Sequence, residues 1–266
     1  MTKKELLDRC ARDGEERILL ARVLDKLELS QNRGVPAHTP FLSPGQRASA
    51  ADLLAAWGKP RHLFWGGYPD SERQVCLFPA GWQEEDDVLS DSEGPLTAIE
   101  AGFHAGASLT HRDILGSLMG LGIGRELVGD ILLPRAGLCQ VVVLRETAPI
   151  LLSQWEGAGR YQVSLTEIPL DRLTPRPPQV KTIRDTVAAP RLDAVTAAGF
   201  SLSRSKAAAL IAAGKVSLNH RECLKADRPV AEGDTLTCRG LGKCVVKEVP
   251  GQSKKGRTML VLERYL

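Results

Sequence analysis

Three clusters in this chain carry side chains that could do chemistry. Asp193, within Arg191-Leu192-Asp193-Ala194-Val195-Thr196, is a carboxylate next to a guanidinium, placed to act as a nucleophile or as an ion-pair partner. Ser203, Arg204, Ser205 and Lys206 put two hydroxyls and two cations in one short stretch, the combination that grips phosphate through side chains and helix N–H groups. His111-Arg112-Asp113 sets an imidazole and a guanidinium at the start of a helical pattern, with Arg125 after the next turn. Lys215, Asn219 and Arg221 follow the second cluster, and Lys254, Lys255 and Arg257 sit in a later loop. As contacts to a polyanion, each would add to a salt-sensitive affinity.

The elements that must position the second cluster are short. Leu192, Val195 and Phe200 predict a helix ending near Gly199. Ser203 caps a second helix, RSKAAALIAA, which stops at Gly214 as a C′ residue would. KVSLN reads as a strand carrying Lys215 and Asn219, and TLTCRG, KCVVKEV and TMLVLER read as further strands. From residue 181 onward there are 16 Lys and Arg against 8 Asp and Glu, net +8. The first 180 residues hold the other 19 basic and 24 acidic residues, net −5, so the overall +3 conceals a basic tail on an acidic body. That asymmetry points to a polyanion partner for the tail.

Upstream, residues 91–175 read β-α-β-β-α-β. PLTAIEAGFHA is a strand, THRDILGSLMGLG a helix capped by Thr110, VGDILLP and LCQVVVL two strands, TAPILLSQWEGAG a helix, and YQVSLTEI a strand. RNA-recognition domains share this ferredoxin-like order and stack bases on aromatics of the central strands, yet Cys139 to Leu144 offers none and Phe103 is the one aromatic near the first strand. Residues 1–90 read as an N-terminal α/β domain, with a helical pattern through Leu6, Leu7, Ile18, Leu19, Val23, Leu24 and Leu27, and a second helix through Ala48, Leu53, Leu54 and Trp57. Strands at HLFWGGYPD and RQVCLFP follow, and then an acidic loop, QEEDDVLSDSEG. Residues 176–190 are Pro-rich and read as an extended linker, and residues 191–266 as the terminal domain. The fold class is α+β, with a curled β-sheet behind two short helices at the C-terminus.

The stretch RLD…FSLSRSKAAALIAAGKVSLN…VAEGDTLTCRG resembles an S4 RNA-binding domain. LTHRDILGSLMGLGIGRELVGDILL and GLGKCVVKEV…SKKGR are similar to the bacterial YlmH-type S4 proteins, and TPFLSPGQ and GGYPDSERQVCLFP extend the likeness toward the N-terminus. The resemblance implies an N-terminal domain, a central RNA-binding-like domain and a C-terminal S4 domain. It implies association with the large ribosomal subunit carrying a stalled peptidyl-tRNA, in ribosome-associated quality control. It also implies that Arg191, Ser203, Arg204, Ser205, Lys206, Lys215 and Asn219 contact rRNA and tRNA.

Enzymatic readings compete and fall short. RLDxxT resembles the catalytic segment of pseudouridine synthases, which makes an RNA-modifying enzyme using S4 for substrate delivery the alternative. Those enzymes carry S4 ahead of a large catalytic domain, whereas here RLD opens the S4 pattern itself. Asp193 therefore reads as a helix N-terminal carboxylate or the partner of a nearby Arg. His111-Arg112-Asp113 spells a kinase triplet, but Leu118 stands where kinases carry Asn and there is no DFG. GLGIG at 120–124 follows a helix rather than a strand, against a dinucleotide loop. His104 and His111 lack a third ligand, and the six cysteines contain no C-x-x-C pair, so neither a metal nor a cofactor is expected and the thiols read as reduced. With no signal-like start and no long apolar run, the expectation is a soluble cytoplasmic protein without a membrane partner, monomeric when free. A tRNA or small-RNA chaperone unrelated to ribosomes is a third reading.

Overall fold

The N-terminal helical periodicity is broken once, at Asp13. Helix α1 (Lys3–Cys10) starts at a capping box between Thr2 and Glu5. Helix α2 (Gly14–Arg33) starts where Asp13 accepts the Glu16 N–H at 2.8 Å and ends at Gly34, whose φ of +63° suits a residue without a Cβ. A computed structural model describes residues 2–89, 94–253 and 256–266, and the chain divides into two compact units, Met1–Arg176 and Pro177–Leu266.

In the first unit, α1 and α2 are followed by β1 (Ala37–His38), α3 (Pro44–Ala56), β2 (Leu63–Trp65), β3 (Val75–Phe78) and α4 (Glu85–Leu89). The strands form an antiparallel sheet in the order β1-β3-β2. Part of the stretch expected as an acidic loop is thus the helix α4, because Val88 turns inward and is buried. Residues 90–93 of that stretch lie outside the described residues.

The chain continues through β4 (Leu96–Gly102), α5 (His111–Gly120), β5 (Val128–Arg135), β6 (Leu138–Leu144), α6 (Ala148–Gln154), β7 (Gly157–Ala158), β8 (Tyr161–Gln162) and β9 (Ser164–Ile168). The antiparallel order β5-β6-β4-β9 is that of the ferredoxin-like fold. The second helix is shorter than expected. Its C-terminal part, Glu156 onward, leads into the hairpin β7–β8, and Trp155 is buried with its indole N–H donated to Ser117 Oγ at 3.0 Å.

Both faces of the four-stranded sheet are covered. One packs Ile99, Val141 and Val143 against Ile114, Leu118, Leu151 and Trp155, with Phe103 on the rim of this helix-side cluster. The other packs Leu96, Ala98, Val142 and Leu144 against Phe41, Val75, Leu77 and Val88 of the preceding block. Strand β3 is buried on both sides, since Cys76 and Phe78 face the core formed by α1, α2 and α3. The blocks read as 1–90 and 91–175 thus lie in one compact unit and share this second apolar cluster. An unbroken apolar run such as VCLF or VVVL is what a doubly covered strand requires. At roughly 2 kcal/mol per buried large aliphatic side chain, leaving this second face open would be costly.

The second unit contains β10 (Val180–Val187), α7 (Leu192–Phe200), α8 (Arg204–Ala212), β11 (Val216–Leu218), β12 (Arg221–Glu222), β13 (Thr235–Cys238), β14 (Gly242–Gln252) and β15 (Thr258–Tyr265), with sheet order β10-β15-β14-β13-β11-β12. Here the expected linker at 176–190 is corrected. Its prolines are Pro177, Pro178 and Pro190, and the Pro-free segment between the last two pairs with β15 from Val180↔Tyr265 to Val187↔Thr258 as an edge strand. Helix α7 ends at Phe200, next to Gly199 as expected. Gly199 is its penultimate residue, where a Cβ would come within 2.7 Å of Cys244 Sγ, and the left-handed residue after the helix is Ser201, φ +56°.

Candidate nucleic-acid interface

Asp193 joins two of the second unit's exposed arginines. It lies in the first turn of α7, buried, and α8 brings Arg204 back beside it. Arg204 Nη2 donates to Asp193 Oδ2 at 2.6 Å, Arg191 Nε lies 3.3 Å from Oδ1, and Oδ1 also accepts the Ala194 N–H at 2.8 Å. Burial works to raise the pKa of this carboxyl, but the hydrogen bond and charge of Arg204 and the charge of Arg191 outweigh it and hold it below the usual carboxylate value. Both guanidinium groups remain largely in solvent, with side chains 44% exposed for Arg191 and 60% for Arg204. One carboxylate thus sets two cations side by side without neutralising both. The same occupancy leaves it poorly placed as a nucleophile, because its oxygens face guanidinium and amide donors.

Helix α8 starts at Ser203, whose Oγ accepts the Lys206 N–H at 3.2 Å and lies 3.1 Å from Ser205 Oγ. Helix geometry directs the remaining first-turn N–H groups outward along the axis, an arrangement suited to a phosphate oxygen. Lys206 is exposed at this end. Past the helix, Gly214 takes φ +65° and Lys215 enters β11. Lys215 O accepts the Arg239 N–H at 2.8 Å, so the two cations flank one another. Both are exposed, because the next pair in register, Val216 and Cys238, points into the core. Arg239 was missed in the sequence, since a lone Arg after a strand carries no signal until the register makes it a neighbour of Lys215.

The other expected contacts sit in varied local settings. Asn219 and His220 both have positive φ and form the two-residue turn between β11 and β12. The Asn219 side chain is used within the chain, donating to Asp234 Oδ1 at 2.7 Å and accepting the Thr235 N–H at 2.9 Å. Arg221 stands partly exposed on β12. Arg257 donates to Thr186 Oγ1 at 3.1 Å and to Thr186 O, holding the end of the sheet together. Lys254 and Lys255 lie outside the described residues.

In the first unit, His111 and Arg112 stand at the surface in the first turn of α5, behind the capping box of Thr110 with Asp113, with the His111 ring partly covered. Arg125 turns inward and donates to Val128 O and to Gly129 O at 3.1 Å. The structure brings His111 close enough to Arg125 for burial and that charge to hold the imidazole below its ordinary pKa. Arg73 completes the cluster, donating to Val128 O at 3.1 Å, Phe41 O at 3.1 Å and Arg125 O at 3.3 Å, and burial and the Arg125 charge hold its pKa down to about 10. Here the guanidinium groups join pieces of the unit.

Among the described residues no group of three or more His, Cys, Asp or Glu side chains could hold a metal ion, and no helix is long and apolar enough to cross a membrane. All six cysteines are unpaired, and burial pushes the Cys139 thiol up to about 12 and Cys244 up to about 11.

Comparison with known proteins gives a consistent assignment. Residues 15–78 match the family described as "YlmH, N-terminal", residues 101–172 that described as "Putative RNA-binding domain in YlmH", and residues 190–236 the "S4 domain". The chain is 34% identical over 254 residues to "Ribosome-associated protein quality control protein P2" of Bacillus subtilis (strain 168), covering 94% of this chain and 95% of that protein. It is also similar to a solved structure, "Cell division protein ylmH from Streptococcus pneumoniae", at 26% identity and a TM-score of 0.48, over 60% of this chain and 95% of that one. The chain belongs to the YlmH family of S4-domain proteins.

Proposed function

We propose that this protein is a non-catalytic RNA-binding factor that works on the ribosome in the quality control of stalled translation. Its second unit grips rRNA and tRNA on a large subunit that still carries peptidyl-tRNA. The observation that carries the reading is the set of exposed cations in the second unit: Arg191 and Arg204 held by the Asp193 carboxylate, Lys206 at the start of α8, and the Lys215–Arg239 pair past its other end, in a unit of net +8. Such an array reads phosphates, which position a protein on folded RNA. The printed name of the Bacillus subtilis relative, a ribosome-associated quality control protein, supports the ribosomal setting. In this reading the first unit is a second contact to RNA or protein, and the protein acts in the cytoplasm and is monomeric when free.

The test is co-sedimentation of the full chain with purified large subunits, with and without bound tRNA, across a salt series. The expected result is binding enhanced by tRNA and weakened steeply by salt. Lys206→Glu with Lys215→Glu and Arg239→Glu should lower affinity by about a hundredfold or more, since several phosphate contacts are lost together. Arg204 is left intact in this variant, because a Glu there would face the buried Asp193 carboxylate and confuse unfolding with lost binding. A folded triple variant that binds like the parent overturns the assignment of this face. Failure of the parent to sediment at low salt removes the ribosome and leaves free RNA to be assayed.

A further inference from the structure

The first unit displays a tryptophan that nothing in RNA binding by the second unit uses. Trp82 is 69% exposed, yet it is fixed in place. Its indole N–H donates to Gly34 O at 3.1 Å, and the turn that carries it is closed by Gln83, whose N–H donates to Ala80 O at 3.1 Å and whose buried Oε1 accepts the Ala80 N–H at 3.1 Å. Arg61 locks the same turn from behind, donating to Gln83 O at 2.7 Å. Val35, beside Gly34, is a second exposed apolar side chain at 41%. Next to them a groove of about 430 Å³ opens, lined on its apolar side by Pro36, Ala37, Leu77, Val88, Pro95 and Leu144.

The charges around this face select the occupant. Trp82-Gln83 runs directly into four consecutive acidic residues at 84–87, of which Glu84, Asp86 and Asp87 are exposed. The nearby cations Arg61 and Arg145 are turned onto backbone carbonyls, Arg145 donating to Gly94 O at 3.0 Å and Leu96 O at 2.9 Å. Arg33 is exposed at the end of α2. A run of carboxylates repels a phosphate backbone and attracts ammonium and guanidinium groups, and an indole face attracts the same cations. A rigid Trp beside an apolar groove is the anchor geometry of a protein contact, because little side-chain entropy is lost on binding. We infer that Trp82, Val35 and the adjoining groove form a docking site for an extended protein segment that alternates apolar residues with Lys or Arg.

The test uses the full chain and three defined probes, titrated by calorimetry and Trp fluorescence: a leucine–lysine alternating peptide, the same peptide with glutamate for lysine, and oligouridylate. The expected result is binding of the lysine peptide at least tenfold tighter than the glutamate peptide. Trp82→Ala should weaken it tenfold or more, Glu84→Lys with Asp86→Lys should do the same, and the distant reversal Glu15→Lys should leave it within twofold. Absence of binding by the lysine peptide, or equal binding by Trp82→Ala, overturns the site. Quenching of Trp82 by oligouridylate in preference to the peptide makes it a base-stacking platform instead and also overturns it. A dimer in sedimentation that dissociates in Trp82→Ala names a second copy as the occupant, with the same consequence. None of these readouts depends on ribosome binding, so this proposal and the ribosomal one fail separately.

Discussion

Asp130 in the first unit and Asp193 in the second are both carboxylate hubs, and they do opposite work. Asp130 accepts the Tyr68 hydroxyl at 2.7 Å and the Glu72 and Arg73 N–H groups at 2.7 and 3.0 Å, tying the N-terminal block to β5 of the four-stranded sheet. Burial and this hydrogen bond push the Tyr68 phenol well above its usual pKa. Asp193 accepts guanidinium groups whose outer faces stay in water. The first hub closes a surface and the second displays one. The contrast extends to the sheets, since the ferredoxin-like sheet shares its order with RNA-recognition domains but is covered on the face that would stack bases. Fold order alone therefore does not say where nucleic acid binds; burial does.

Four measurements would sharpen or break this comparison. The largest effect is expected for Asp130→Ala, which strips one partner from each of three donors and should cost about 3 kcal/mol in urea unfolding of the first unit. A loss below about 1 kcal/mol would mean the blocks are joined by apolar packing alone. Asp193→Asn should cost less, about 1–2 kcal/mol, because its arginine partners are solvated. The pH dependence gives the sign. A carboxyl held below its ordinary 3.8 contributes stability that is present above that value and fades as pH falls through the folded pKa, so the second unit should weaken from about pH 4 downward. Asp193→Asn should flatten that acid limb, and an unchanged limb would remove the ion pairs from the account.

Thr196, fully buried in α7 with no hydrogen-bond partner for its hydroxyl, supplies a change of opposite sign. Thr196→Val should raise thermal stability by up to about 1 kcal/mol; destabilisation would point to an internal water serving that hydroxyl. The smallest effect is expected on RNA affinity from Phe103→Leu. This ring packs on the helix-side cluster, so binding should stay within about twofold as judged by filter retention; a tenfold loss would make Phe103 itself a nucleic-acid contact.

Much of this was legible in local chemistry. The β-α-β-β-α-β order follows from alternating periodicities, and Thr110, Ser203 and Gly214 mark helix ends by the hydrogen bonds and φ values that those positions demand. Asp193 was readable as an arginine's partner. Less visible was the second role of Gly199, which lies beside the helix end and is also a close-packing position against Cys244. The strand β10 was hidden behind prolines whose effect ends one residue before it begins to pair. Asn219 is an expected RNA contact through the family resemblance, and only the turn geometry shows its side chain also bonded to Asp234 and Thr235.

By itself the sequence determined the kinds of element, their order, and the concentration of positive charge after residue 181, because these depend on neighbours within a few positions along the chain. The tertiary structure alone decided which apolar face is covered by which block, that Arg125 and Arg257 bond to backbone carbonyls, that Arg191 and Arg204 share one carboxylate, and that Arg239 lies beside Lys215. Those outcomes depend on strand register and on contacts between residues far apart in sequence, where a shift of one residue along a strand exchanges the buried face for the exposed one.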